Sequence, residues 1–204
     1  MRIEDEIKLT FDDVLIRPKR STLISRSEVH LERSFKFKHT ESVWNGVPIV
    51  SANMDTTGTF ETAISLQKHK MITAIHKFYT IDDWKKNISE LDPNYIAVTV
   101  GQSDDDLELA KNIFNLNNEI KFLCIDVANG YREDFINAVK KYRDTFNEKI
   151  IIAGNVATRE MTEALILAGA DIVKIGIGPG SVCTTRSVAG VGYPQLSSIS
   201  ECSD

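Results

Sequence analysis

Cysteine is scarce: 204 residues hold three, Cys124, Cys183 and Cys202. An odd number at wide spacing fits neither a disulfide framework nor a structural zinc site, so reduced thiols are expected. Cationic residues are in the minority, 24 Lys and Arg against 29 Asp and Glu for a net charge of −5. They are scattered along the chain, which removes the electrostatic basis for nucleic-acid binding and makes any phosphate recognition local. No apolar run is long enough for a signal-peptide core or a membrane span. No membrane partner is therefore expected, and the expected compartment is the cytoplasm. A glycine-rich G-x-G-x-x-G turn is also missing after the first apolar strand, which ends "NMDTTGTF". Its absence counts against an open dinucleotide-binding sheet.

What is present is a regular alternation. Apolar segments at 47–55, 71–77, 95–101, 121–128, 149–156 and 171–178 are mostly rich in β-branched residues and end in polar or small ones. They read as buried parallel strands. Between them lie helical patterns at 57–69, 80–91, 103–114, 131–146 and 158–169, and a last helix is expected to begin near Pro194. Thr80 and Ser103 precede acidic first turns, and Gly169 marks a C-terminal stop. The fold class is α/β. Polar or reactive residues close many different strands: Asn53, Asp55, His76, Lys77, Asp126, Asn129 and Asn155. A (β/α)8 TIM barrel collects all its strand ends at one mouth, whereas an open sheet gathers them at a switch point. The expectation is an N-terminal segment and about six of the eight βα units of such a barrel, hence part of a longer protein. Residues 1–46 read as a partly extended segment ahead of the barrel. Residues 47–204 are expected to be the incomplete catalytic barrel.

The stretch "GIGPGSVCTTR", residues 176–186, places Gly176, Gly178 and Gly180 ahead of Cys183. Glycines open backbone conformations closed to other residues, and such a loop can turn its N–H and C=O groups toward a ligand. A free thiol is mostly protonated at neutral pH, so a nucleophilic cysteine needs donors or positive charge beside it. Cys183 stands in a polar loop suited to that. Cys124, among Phe122, Leu123 and Ile125, belongs to the core, and His76 reads as a satisfied strand-end histidine.

The segments "FDDVLIRPKRSTL", "ANMDT", "AIHKFYT", "CIDVANGY", "AGNVAT" and "VKIGIGPGSVCTTR", running on to "GVGYPQL", together resemble the family of IMP dehydrogenases and GMP reductases. Dehydrogenases of this kind usually carry a pair of regulatory domains between the second barrel helix and the third strand, but here Leu91 leads almost at once into "DPNYIAVTV". They typically read A-P-M-D-T where Asn53 stands, and usually lack a tyrosine at the position of Tyr193. The pattern resembles the reductase branch. That implies NADPH-dependent reductive deamination of GMP to IMP with release of ammonia, through a covalent cysteine–purine thioimidate. The alternatives are NAD-dependent oxidation of IMP to XMP on the same cysteine adduct, or a non-catalytic nucleotide-binding fragment.

By the same resemblance, Cys183 is the nucleophile, and Thr185 handles the proton on the departing amine together with a glutamate further along. Ser25, Arg26, Lys77, Asp126, Val127, Ala128, Ile177 and Gly178 match cofactor contacts, with Ser25 and Arg26 delivered from a neighbouring subunit. Met54, Asn155 and Ser181 match positions that hold the substrate. The backbone carbonyls of Gly178, Gly180 and Cys183 match a potassium site. The implied assembly is a homotetramer, with residues 1–46 packing on the barrel and on a neighbouring subunit.

Overall fold

The computed structural model describes residues 3–204. Strands β1 (Arg33–Lys36) and β2 (Val43–Gly46) form an antiparallel hairpin. Six further strands follow: β3 (Val50–Ser51), β4 (Ile72–Ile75), β5 (Ile96–Val100), β6 (Phe122–Asp126), β7 (Ile150–Val156) and β8 (Ile172–Ile175). They make one parallel sheet in which every strand neighbours the next in sequence. A doubly wound sheet reverses its order at a switch point; strictly sequential order is that of a barrel wall. The molecule is thus a curled six-strand arc of a TIM barrel, with its helices on the outer face.

Strands β4 to β7 are buried on both faces, which is why they read as nearly unbroken apolar runs, while the edge strands β3 and β8 are partly exposed. On the outer face Ile75, Val98, Leu123 and Ile151 pack against helices α1 (Phe60–Leu66), α2 (Ile81–Asn87), α3 (Asp104–Leu116), α4 (Glu133–Thr145) and α5 (Arg159–Ala168). On the inner face Ile72, Ala97, Phe122, Cys124, Ile150 and Ile152 form a second cluster with Trp44 of the hairpin. Trp44 is only 2% exposed. Its ring meets Phe122 edge-on at 5.9 Å and its indole N–H donates to the Asn94 carbonyl at 2.8 Å. The hairpin therefore plugs the base of the arc, with Arg33–Lys36 and Val43–Gly46 of the N-terminal segment paired as strands. Its strands lie exposed along β1 and alternate along β2, a pattern too short to separate from coil by sequence.

The helix starts obey their capping chemistry. Thr80 with Asp83, and Ser103 with Asp106, close reciprocal capping boxes at the starts of α2 and α3. Gly169 caps the end of α5 in the left-handed region. Helix α1 starts at Phe60, later than its periodicity suggests, because Met54 accepts hydrogen bonds from the N–H groups of Thr57 and Gly58 in a tight turn. The same turn ends β3 at Ser51 and leaves Asn53 and Met54 in the loop above the sheet. Two short helices, α6 (Thr185–Ala189) and α7 (Gln195–Ser203), follow β8.

At the base, Asp171 is fully buried and Arg143 of α4 is 13% exposed. The carboxylate accepts from Arg143 at 2.5 Å, from the Ile151 N–H at 3.0 Å and from the His39 N–H at 2.9 Å. Arg143 also donates to the carbonyls of Gly169, Asn147 and Lys149 at 3.0, 3.1 and 2.9 Å. Removing one member of a buried pair strands the other charge, a loss of about 3–5 kcal/mol. Arg143→Ala is expected to lower the urea midpoint accordingly; an unchanged midpoint would show that the clamp is dispensable.

Candidate active site

The C-terminal ends of the strands surround a cavity of about 560 Å³ whose lining includes Asn53, Met54, Ala74, Cys124, Asp126, Asn155, Ile172 and Lys174. Each polar member arrives by strand geometry. Asp126 ends β6 and Asn155 lies in β7. Lys174 lies on β8, and Asn53 and Met54 come from the turn after β3. The Asn155 amide donates to the Val127 carbonyl at 3.0 Å, and its N–H reaches the same carbonyl at 2.9 Å. Lys174 Nζ donates to Asn53 Oδ1 at 2.6 Å and to Asp126 Oδ1. Lys77 Nζ donates to the Asp126 carbonyl at 3.4 Å. Of the residues singled out in the sequence, the structure gathers Met54, Asp126 and Asn155 around this cavity, with Lys77 and Val127 bonded to its wall.

Lys174 escaped the sequence reading. The signal was a lysine inside the apolar run "DIVKIGIG", where period-2 alternation puts residue 174 on the same face as Ile172, toward the barrel interior. A cation on an inward position of a buried strand needs a partner, and that partner is Asp126.

The loop after β8 stands beside the cavity rather than inside its lining. Gly176 and Gly178 hold φ angles of 139° and 66°, the region that excludes side chains, so these two glycines are required by the turn. Cys183 is partly exposed, with Sγ 3.4 Å from Thr185 Oγ1 and its N–H bonded to the Gly180 carbonyl at 3.1 Å. The bond to the Thr185 hydroxyl, then the Thr185 backbone and the nearby Arg186 charge, hold the thiol below its ordinary value. Burial acts the opposite way on Cys124, which is pushed up to about 11. Cys183 is the more readily deprotonated of the two, and Cys124 the less.

Ser181 is exposed on the same loop. Ile177 lines a smaller cavity of about 310 Å³ with Tyr131, Gly192 and Tyr193. Ala128 is exposed just beyond β6, while Ser25 and Arg26 sit on an exposed turn in which the Ser25 hydroxyl accepts from the Ser27 N–H. None of these lines the larger cavity. His76 is 7% exposed, stacks on Tyr79 at 4.0 Å and accepts from the Phe78 N–H, a satisfied core histidine. A depression of about 620 Å³ near His39, Lys121 and Lys149 lies at the opposite end, where barrels carry stability rather than catalysis.

The mouth suits a nicotinamide dinucleotide. Asp126 Oδ2 carries no hydrogen bond among the described residues and can accept from N–H or O–H donors, while the half-buried Lys77 ammonium offers positive charge at the rim. The carbonyl set is less suited to a monovalent cation, because Gly180 O already accepts from the Cys183 N–H and from the Arg186 guanidinium at 3.1 Å. Among the described residues there is no cluster of three His, Cys, Asp or Glu side chains that could hold a metal. No helix among them is long and apolar enough to cross a membrane.

Residues 8–204 match the family model described as IMP dehydrogenase / GMP reductase domain. A GMP reductase of Buchnera aphidicola subsp. Acyrthosiphon pisum is 58% identical over 207 aligned positions, covering 100% of this chain and 59% of the relative. A GMP reductase of Photobacterium profundum is also 58% identical, covering 100% of this chain and 60% of its own. The chain thus spans about three-fifths of the length of the curated relatives it matches. The solved inosine 5′-monophosphate dehydrogenase of Legionella pneumophila superposes with a TM-score of 0.84 at 33% identity, covering 97% of this chain and 59% of that one. With the family model matched over residues 8–204 and relatives 58% identical across the whole chain, the chain belongs to the IMP dehydrogenase / GMP reductase family.

Proposed function

We propose that this chain forms the larger part of an enzyme that reductively deaminates GMP to IMP with NADPH, releasing ammonia. The observation that carries the reading is the Cys183 thiol held below its ordinary value by Thr185 on a glycine-turned loop beside the mouth. The direct connection from Leu91 to β5, with no inserted domain, favours the reductase over the dehydrogenase, as do the relatives' names.

In this reading the Cys183 thiolate adds to C2 of the purine, forming a C–S bond. The C2–N bond then breaks and the amino group leaves as ammonia, with its proton handled at Thr185 Oγ1. Met54 and Asn155 hold the purine and ribose above the cavity, and Ser181 adds a hydroxyl for the phosphate. Lys77, Asp126, Val127, Ala128, Ile177 and Gly178 hold NADPH, which when bound supplies the hydride that ends on C2. Cleavage of the C2–S bond returns the thiolate and frees IMP. Potassium on the carbonyls of Gly178, Gly180 and Cys183 belongs to the finer form of the reading, but the occupied Gly180 carbonyl argues against it here, and the steps above do not need it.

The same reading makes the enzyme a cytoplasmic homotetramer. Leu15, Ile16 and Ile24 are 97, 98 and 95% exposed in the N-terminal segment, an apolar strip suited to a neighbouring copy. Ser25 and Arg26 next to that strip would then reach the neighbour's cofactor.

Three outcomes are expected of the full-length enzyme. GMP with NADPH yields IMP and ammonia, followed by loss of absorbance at the reduced nicotinamide band; robust XMP formation from IMP and NAD would reverse the choice of branch. Cys183→Ala lowers turnover by about 10³-fold or more while GMP binding by calorimetry holds, and the wild-type cysteine peptide carries the purine adduct in quenched mass spectra. Iodoacetamide labels Cys183 at lower pH than an unperturbed thiol. The sign follows from the lowered value: the thiolate persists as pH falls through the ordinary range and is lost only below it. Thr185→Val moves the labelling midpoint upward, and Cys124 stays unlabelled in the folded protein.

A further inference from the structure

Three residues lie in one row across three strands. The ladder pairs Asp126 of β6 with Gly154 of β7, and Gly154 with Lys174 of β8. The lysine stem crosses above the glycine to reach the carboxylate two strands away. A Cβ at position 154 would stand 2.5 Å from Lys174 Cβ and 2.6 Å from its carbonyl oxygen, so no other residue fits beneath that crossing. The ammonium ends between Asp126 Oδ1 and, at 2.6 Å, Asn53 Oδ1 from the turn after β3. The pair is largely shielded, with side-chain exposures of 26% for Lys174 and 18% for Asp126. Both side chains line the cavity at the mouth. Only Oδ1 is engaged, by Lys174 and by a 3.5 Å contact from the Asn155 amide; Oδ2 has no partner among the described residues.

We propose that Lys174 is a positioning residue for the nicotinamide cofactor, gripping Asp126 by Oδ1 so that Oδ2 is presented as the acceptor for an N–H or O–H donor of that cofactor. The inference rests on the function proposed above. Without the Lys174 ammonium, the carboxylate loses the group that bonds Oδ1 closely, since Lys77 reaches only the Asp126 backbone carbonyl, and its χ2 torsion is free to turn. A carboxylate held in one direction by the ammonium on Oδ1 presents Oδ2 as a charge-assisted acceptor at a fixed place. Asn53 gives the ammonium a second anchor from the opposite edge of the sheet, which sets where along the row Nζ stops.

The test is cofactor affinity in the full-length enzyme, read by calorimetric titration with NADPH in the absence of GMP. Lys174→Met is expected to weaken NADPH binding at least about tenfold, the scale of truncating one partner of a shielded charge pair. Lys174→Arg restores most of it, and the KM for GMP changes less than about twofold in either variant, since the loss is confined to the cofactor side. Because Lys174→Met strands a charge, a charge-matched background guards against misfolding. Asp126→Asn with Lys174→Met should bind NADPH no more weakly than Asp126→Asn alone, since the lysine has nothing left to position. Unchanged NADPH affinity in Lys174→Met overturns the proposal. So does an additive loss in the double variant, or an equal loss of GMP and NADPH affinity accompanied by a fall in melting temperature. If the pattern holds but wild type makes no IMP, the proposed reaction fails while the role of Lys174 stands. A wild type that does not bind NADPH at all overturns both.

Discussion

The Asp171 carboxylate is the constraint from which the lower half of the molecule is built. Fully buried, it accepts from the start of β7, from the hairpin connection at His39 and from Arg143 at the end of α4. Burial penalises the charged guanidinium, and the carboxylate opposes that penalty. The guanidinium's other N–H groups donate to backbone carbonyls of the α4–β7 and α5–β8 connections, and the carboxylate's other lone pairs accept from the N–H groups of Ile151 and His39, the condition under which a buried ion pair holds rather than weakens a fold. Three separate connections are thereby drawn to one point, and the strands that leave it carry their C-terminal ends to a common mouth.

That polarity divides the molecule chemically. The base is hydrogen-bonded and packed around Trp44, while the mouth keeps polar atoms without partners, the condition under which a ligand can displace water rather than protein contacts. Cys124 and Cys183 differ in the same way, by the polarity of what surrounds them. Cys124 packs in the inner apolar cluster, where burial outweighs the stabilising pull of Lys174 and of the Thr99 hydroxyl, whereas Cys183 has a hydroxyl, a backbone donor and a cation at hand. Identical side chains differ in reactivity because one lies among hydrocarbon and the other among dipoles.

How much of this was legible beforehand varies with the range of the interaction. Parallel strands β4 to β8 and the capped starts of α2 and α3 rest on local periodicity and on pairs three residues apart, and they stand where the sequence places them. The hairpin at 33–46 was not legible, because Trp44 is buried by Phe122 and Tyr95, residues brought to it by tertiary structure alone. At the site, Asp126, Met54 and Asn155 converge as strand-end logic expects. Lys174 was missed because a charge within an apolar run has meaning only once the strand's inward face and its neighbour across Gly154 are known. The glycine-rich loop pointed to Cys183, and the resemblance added its role as nucleophile and Thr185; their separation from the lining of the larger cavity came from the structure.

The sequential strand order has a consequence for how the chain gains its form. Each strand of the sheet meets its partner across a single βα unit, so every ladder closes a modest loop at small cost in chain entropy, and the barrel wall can grow by accretion from one end. The bond from the His39 N–H to Asp171 spans 132 residues and has no such shortcut. It ties the hairpin to the last βα connection of the arc, so sealing the floor of the molecule closes a far longer loop than any rung of the wall above it and carries a larger loop-closure cost.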